Sequence, residues 1–162
     1  MPTPQELTES FWSALKSDMT VMLGLAGVEN AHTRPMAAQL DGEHSPIWFF
    51  TSRDASLVNN VAQSSKAFAT FASKDHDLFA CLHGTLVVDN DHAMIDKLWN
   101  RYIAAWYEQG KDDPKLVLLR FDAQEAEIWQ DASSMVAGLK MLLGAGDPKQ
   151  DYKDSTAKVS LS

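Results

Sequence analysis

Arg34 is the residue whose surroundings most need explaining. It lies in a strand-like stretch, His32 to Leu40, on a face otherwise made of Met36, Ala38 and Leu40. A guanidinium there is costly to bury without an anion to pair with. Thr51 and Ser52 end the next strand, and Ser56 lies beside the start of the helix that follows. Hydroxyls, backbone N–H groups and a helix start are suitable donors for a phosphate. The competing reading sends Arg34 to solvent or to one of the 22 carboxylates, and spacing alone leaves the two open.

Other chemistries find less support. The five histidines, His32, His44, His76, His83 and His92, show no HxxxH or HxH spacing, and Cys81 with His83 is one weak pair lacking two further ligands. As nucleophile and base the same pair would project in parallel from a strand instead of converging. No GxSxG, Walker A or GxGxxG sequence occurs. Trp48, Phe49 and Phe50 read as core. Trp129, on a short late strand, carries an indole able to cover a flat ligand or a subunit interface, although alone it too reads as core.

At 162 residues, 45% hydrophobic and 22% charged, the chain suits one compact soluble domain. A net charge of −8 repels a nucleic-acid backbone or an anionic membrane, so neither is an expected partner. Any bound phosphate must be held by local donors against that field. Cys81 is the single cysteine, which excludes an internal disulfide and fits a reducing compartment. The opening MPTPQELTES has neither a basic nor an apolar leader region, and no apolar run suits a bilayer, so the expected location is the cytoplasm.

Positioning the candidate groups falls to a mostly β chain. Thr3–Ser17 reads as a helix with a Thr3–Glu6 capping box, Pro4 in its first turn and Leu7, Phe11 and Leu15 on one face. Met19, Val21, Leu23 and Leu25 then alternate as a strand in which Gly24 marks a bulge or a close backbone approach. Pro35 places the next strand at an edge or bulge, Asp41-Gly42 turns the chain, and Ile47–Thr51 is too apolar to leave one face exposed. Asp54 is the expected cap of a helix to about Gln63, followed by strands Ala67–Ser73 and Leu78–Asp89. A long helix is expected over Asp91–Gln109, with Ile95, Leu98, Trp99, Tyr102 and Trp106 at helical spacing and Gly110 as its C-terminal cap. Leu116–Phe121 and Ala126–Gln130 read as two strands, and Ser133 or Ser134 as the cap of a helix through Leu143. Residues 1–145 make the expected domain and 146–162 a tail, loose or docked on a partner. Six or seven turn-linked strands without βαβ alternation predict an antiparallel barrel with peripheral helices.

Six short pieces then occur in order: Thr33-Arg34-Pro35-Met36, Trp48-Phe49-Phe50-Thr51-Ser52, Leu82-His83-Gly84-Thr85, Lys97-Leu98-Trp99-Asn100, Gly110-Lys111-Asp112-Asp113-Pro114 and Ala126-Glu127-Ile128-Trp129. Together, over roughly Leu7 to Leu143, the chain resembles the general stress protein 26 branch of the pyridoxamine 5′-phosphate oxidase-like, FMN-binding split barrels. The resemblance implies a mainly β, six-stranded Greek-key split barrel with peripheral helices, a homodimer, and FMN in clefts at the dimer interface. It implies that Arg34, Thr51 and Ser52 face the flavin phosphate and ring edge; Ser56, from the donor argument above, and Phe50, beside Thr51, are added to the expected cofactor site. Pro35 and Met36 are implied ring contacts, and Trp129 is implied to approach from the second subunit.

Two departures from the family pattern stand out. Leu57 lies near a position where members commonly carry a lysine, with Arg53 as the nearby cation. The closing Lys-Val-Ser-Leu-Ser also differs from the arginine- and histidine-bearing segment that true pyridoxamine phosphate oxidases use for substrate, so vitamin B6 synthesis is not expected. The expected function is that of an FMN-binding, general stress-type flavin-dependent oxidoreductase whose small-molecule substrate is unassigned. The alternative is a split barrel that has lost FMN and binds another ligand, such as haem, or serves as a structural dimer.

Overall fold

The computed structural model describes residues 2–28, 32–61, 65–130, 142–144 and 156–162. Helix α1 (Pro4–Asp18) starts at the capping box read from the sequence: the Thr3 hydroxyl accepts the Glu6 N–H, and the Thr3 N–H donates to the Glu6 carboxylate at 2.7 Å. Leu7, Phe11, Trp12 and Leu15 form its buried face and join the main core. Met19 caps the helix in a left-handed conformation, so only Val21, Leu23 and Leu25 of the predicted apolar face point inward.

Eight strands follow among the described residues: β1 (Thr20–Leu25), β2 (Arg34–Ala37), β3 (Gln39–Leu40), β4 (Ile47–Ser52), β5 (Ser65–Ala72), β6 (Leu78–Val88), β7 (Leu116–Gln130) and β8 (Thr156–Ser160). Every pairing is antiparallel. The order is β2-β1-β5-β6-β7-β4-β3, with β8 beside β7. The two ends of this path are consecutive in the chain, separated by Ala38 alone, so the sheet curls into a nearly closed barrel. The single strand expected over His32–Leu40 is therefore two. β2 pairs with β1, β3 pairs with β4, and Ala38 turns between them with its N–H on the Met19 carbonyl at 2.6 Å. Taken as one interrupted strand, they complete the six strands of the split barrel. Pro35 lies on β2 at an end of the sheet path, where its missing N–H removes no ladder bond.

The two strands expected at the C-terminal side are one, β7. Between its halves Glu125 faces His83 and Ala123 faces Gly84, leaving Gln124 as a bulge. The bulge also marks a change of neighbour: Leu116–Phe121 pair with β4, whereas Glu125–Trp129 pair with β8. Gly84 permits the close approach, since a Cβ there would lie 2.1 Å from the Asp122 carbonyl oxygen. Thr156–Ser160, within the stretch read as a tail, form β8 on the same chain, and Ala157, Val159 and Leu161 pack on the core.

The helical inserts differ most from the sequence reading. α2 (Ser56–Asn60) has five residues and is capped at Ala55 without a side-chain bond, so Asp54 is not its cap; Gln63 lies outside the described residues. The long helix breaks into α3 (His92–Leu98) and α4 (Arg101–Ala104), because the Asn100 side chain takes the N–H groups of Tyr102 and Ile103 at 2.9 and 3.0 Å and starts a new helix. The break changes the phase. Ile103 and Tyr107 turn inward, while Tyr102 and Trp106 are 69% and 84% exposed. Gly110 opens a short 3-10 turn, Gly110–Asp112, instead of ending an α-helix. The helix expected after Ser133 or Ser134 lies outside the described residues, except for exposed Leu142 and Leu143 near its end. A second apolar cluster, with Trp48, Ile95, Ile103, Tyr107, Leu116 and Leu118, seats α3 and α4 on the outside of β4 and β7. β4 is accordingly covered on both faces, with Ile47 and Phe49 inward and Trp48 and Phe50 outward.

Candidate functional site

Arg34 faces Leu23 across β1 and β2, so it shares the barrel-side face of the sheet with Met36, which faces Val21. The guanidinium sits at the end of β2. There Nη1 donates to the Ser56 hydroxyl at 3.1 Å, at the first residue of α2, and Nη2 lies 3.4 Å from Nε2 of His32. The Nε–H is buried and has no partner among the described residues. An always-charged group with an unmet buried donor is the arrangement that an anionic oxygen would complete. No carboxylate is bonded to Arg34, so the salt-bridge reading finds no support among the described residues.

The neighbouring hydroxyls are held by the end of β4. Thr51 lies opposite Val117, on the inner face, and Ser52 opposite Leu116, on the outer. The Ser52 hydroxyl accepts the Asp54 N–H at 3.4 Å, and its carbonyl accepts the Ala55 N–H at 2.9 Å, so the turn leads directly into Ser56. Tyr107 fixes the same strand end from outside, donating its hydroxyl to the Thr51 carbonyl at 2.7 Å. Burial, with the Asp113 carboxylate adding to it, pushes the Tyr107 phenol up to about 12. Neither Tyr107 nor His32 stands out in the sequence as a site residue. For His32 a signal existed, since it lies two residues before Arg34 in an extended segment and so on the same side.

The other candidates are placed as follows. Pro35 is exposed and Met36 half-buried, on opposite faces of β2. Phe50 packs edge-on against Trp99, with ring centroids 6.1 Å apart, within the second apolar cluster. Leu57 is 1% exposed and belongs to the main core, so its position cannot supply a phosphate-binding cation as a lysine would; Arg53 is exposed in the turn. Trp129 is elsewhere. It lines a groove of about 790 Å³ on the outer side of β6, β7 and β8, together with Cys81, His83, Glu127, Lys158 and Ser160. Neither Arg34 nor Ser56 lines that groove. There Cys81 Sγ lies 3.6 Å from Nε2 of His83, so the two side chains converge instead of standing parallel as the strand spacing suggests; burial and the Glu127 carboxylate nevertheless push the Cys81 thiol up, which disfavours the thiolate a nucleophile would need. Among the described residues no group of three histidine, cysteine or acidic side chains could hold a metal ion, and no helix is long and apolar enough to cross a membrane.

Comparison with known proteins decides the family. The model of the pyridoxamine 5′-phosphate oxidase-like family matches residues 6–151. The chain belongs to that family. Among solved structures, this family member is similar to a protein assigned to the general stress family from Xanthomonas campestris pv. campestris, with 57% identity over 83% of this chain and 93% of the other and a TM-score of 0.78. It is also similar to the general stress FMN/FAD binding protein of Xanthomonas citri, at 57% identity over 80% and 92% of the two chains and a TM-score of 0.77. A protein assigned as general stress protein 26 from Jannaschia sp. CCS1 shares 27% identity over 96% and 99% of the chains, with a TM-score of 0.78. No curated protein matches the sequence. The mainly β split barrel read from the sequence is thus the fold of this oxidase-like family.

Proposed function

We propose that this oxidase-like family member binds FMN, holds its phosphate on Arg34 and Ser56, and acts as a flavin-dependent oxidoreductase of the general stress type. The observation that carries this reading is the buried, unpartnered Nε–H of Arg34 beside the Ser56 hydroxyl. An isolated donor of that kind costs on the order of 1–3 kcal/mol, which an anionic oxygen would offset. The net charge of −8 makes such local donors necessary. The 57% identity to a protein described as FMN/FAD binding supports flavin as the ligand.

Bound FMN would supply two-electron redox chemistry. The chain's part is to anchor the phosphate through Arg34 and Ser56, to present Thr51 and Ser52 from a strand end braced by Tyr107, and to keep the global negative field off the anion. Completion of the cleft falls to a second copy carrying Trp129. Support for a homodimer comes from Met22 and Phe79, which stand 37% and 40% exposed on the outward side of β1 and β6, the side that also carries Trp129. A cytoplasmic protein of this kind would meet diffusible electron donors and acceptors.

The test is an absorption spectrum of the purified protein with and without added FMN, run alongside sedimentation. A yellow dimer with flavin bands is the expected result. A colourless dimer that takes up no FMN would overturn the cofactor, and a monomer at micromolar concentration would overturn the shared cleft.

A further inference from the structure

The geometry points to His32 as a positioning residue of the anion site: it holds Arg34 from the side opposite Ser56 and aims the remaining guanidinium donors at the phosphate of a flavin mononucleotide. This inference rests on the flavin reading above and deepens it. Arg34 bears five N–H donors and no acceptor, and it stays protonated. In the contact of 3.4 Å between Nη2 and His32 Nε2 the arginine is therefore the donor and the ring nitrogen the acceptor. Nη1 is held by Ser56 at 3.1 Å. With both terminal nitrogens engaged, rotation of the planar group is restrained, and the buried Nε–H remains as a fixed, unmet donor. A guanidinium anchored at two corners loses less freedom when an anion arrives, so affinity depends on residues that need not touch the ligand.

His32 reaches this position because of Gly24. A Cβ on Gly24 would lie 3.1 Å from the His32 carbonyl oxygen, 3.2 Å from the Thr33 methyl carbon and 3.3 Å from the Phe68 ring, tighter than ordinary packing on all three. Glycine on β1 thus lets the His32–Thr33 backbone lie close against the sheet just before β2 begins. The strand register, with Leu23 opposite Arg34, then sets imidazole and guanidinium side by side. The close backbone approach that the sequence suggests at Gly24 acquires a purpose.

The test compares FMN with riboflavin, the same ring system without phosphate, by fluorescence titration of the full chain. The ratio of the two affinities isolates the phosphate grip from ring binding and from general stability. His32→Ala is expected to lower the FMN-to-riboflavin affinity ratio about fivefold, as loss of one ordinary hydrogen bond would. His32→Gln, whose amide oxygen can accept from Nη2, is expected to restore most of it. Gly24→Ala, which presses on the His32 backbone from β1, is expected to lower the same ratio without altering any group near the ligand. An unchanged ratio in His32→Ala, or no rescue by His32→Gln, overturns the role of His32; an unchanged ratio in Gly24→Ala overturns its part as the spacer. Failure of the underlying reading looks different, because there the unaltered protein binds no flavin, or binds FMN no more tightly than riboflavin.

Discussion

The Tyr107 hydroxyl donates to the Thr51 carbonyl at 2.7 Å and so ties the segment after α4 to the strand end that enters the candidate site. The contact explains why a helical insert on the outside of the barrel matters to residues at its rim. It also carries a titration. The phenol is pushed up to about 12, from an ordinary value of 10.0, by burial first and by Asp113 second. Between those values the unfolded chain releases a proton that the folded chain keeps, so stability is complete below the window and falls as pH rises through it. Tyr107→Phe is expected to cost about 1 kcal/mol at neutral pH and to flatten the alkaline decline. Denaturant unfolding curves at neutral and alkaline pH check this, and an unaltered decline in the variant would count against it.

Arg34→Met keeps an unbranched side chain of similar reach while removing the charge and the unmet donor. FMN affinity is expected to fall about 10- to 100-fold, the range for a hydrogen bond to a charged group, with a much smaller effect on riboflavin. The melting temperature should hold or rise, since a buried orphan polar atom disappears. Equal losses for both flavins would place the phosphate elsewhere.

Gly84→Ala places a methyl group 2.1 Å from the Asp122 carbonyl oxygen, in backbone that cannot yield as a flexible side chain would. The expected cost is about 2–4 kcal/mol, read from the urea midpoint, because the β6–β7 bulge must open to admit it. A change under 0.5 kcal/mol would mean the strands separate there more easily than their register implies.

Leu57→Lys tests whether the family's usual lysine could be restored. Leu57 is 1% exposed in the main core, so the substitution is expected to destabilise by about 3 kcal/mol and to leave FMN affinity no higher. A stable variant that grips FMN more tightly would show that the start of α2 can rotate to offer the lysine to the ligand.

The fold was legible wherever a local rule and the global packing agreed. Thr3, Pro4 and Glu6 start α1 as their types predict, and the alternation of Val21, Leu23 and Leu25 matches the buried face of β1. Misreadings fell where a contact distant in sequence outweighed the local signal. Leu116–Phe121 and Ala126–Gln130 read as two strands, yet pairing with β6 carries β7 through the residues between them with a single bulge at Gln124. Asn100 sits within an apolar repeat that reads as one helix, but its side chain captures two backbone N–H groups and shifts the phase, which buries Tyr107 and exposes Trp106.

For the site, sequence by itself determined the chemistry on offer around Arg34: one arginine on an apolar strand, with hydroxyls at the next strand end and in the turn after it. Those are properties of residue type and local period, which need no long-range contact. Tertiary structure decided which of them meet. Arg34, the first residue of β2, meets Ser56, the first residue of α2, because the sheet path closes on itself through β2 and β3, and His32 lies beside them where Gly24 has no side chain to press on its backbone. Trp129 stays in a separate groove because β7 carries it to the outer side of the sheet beside β8. Pairing across the barrel, which no short window of sequence contains, set those distances.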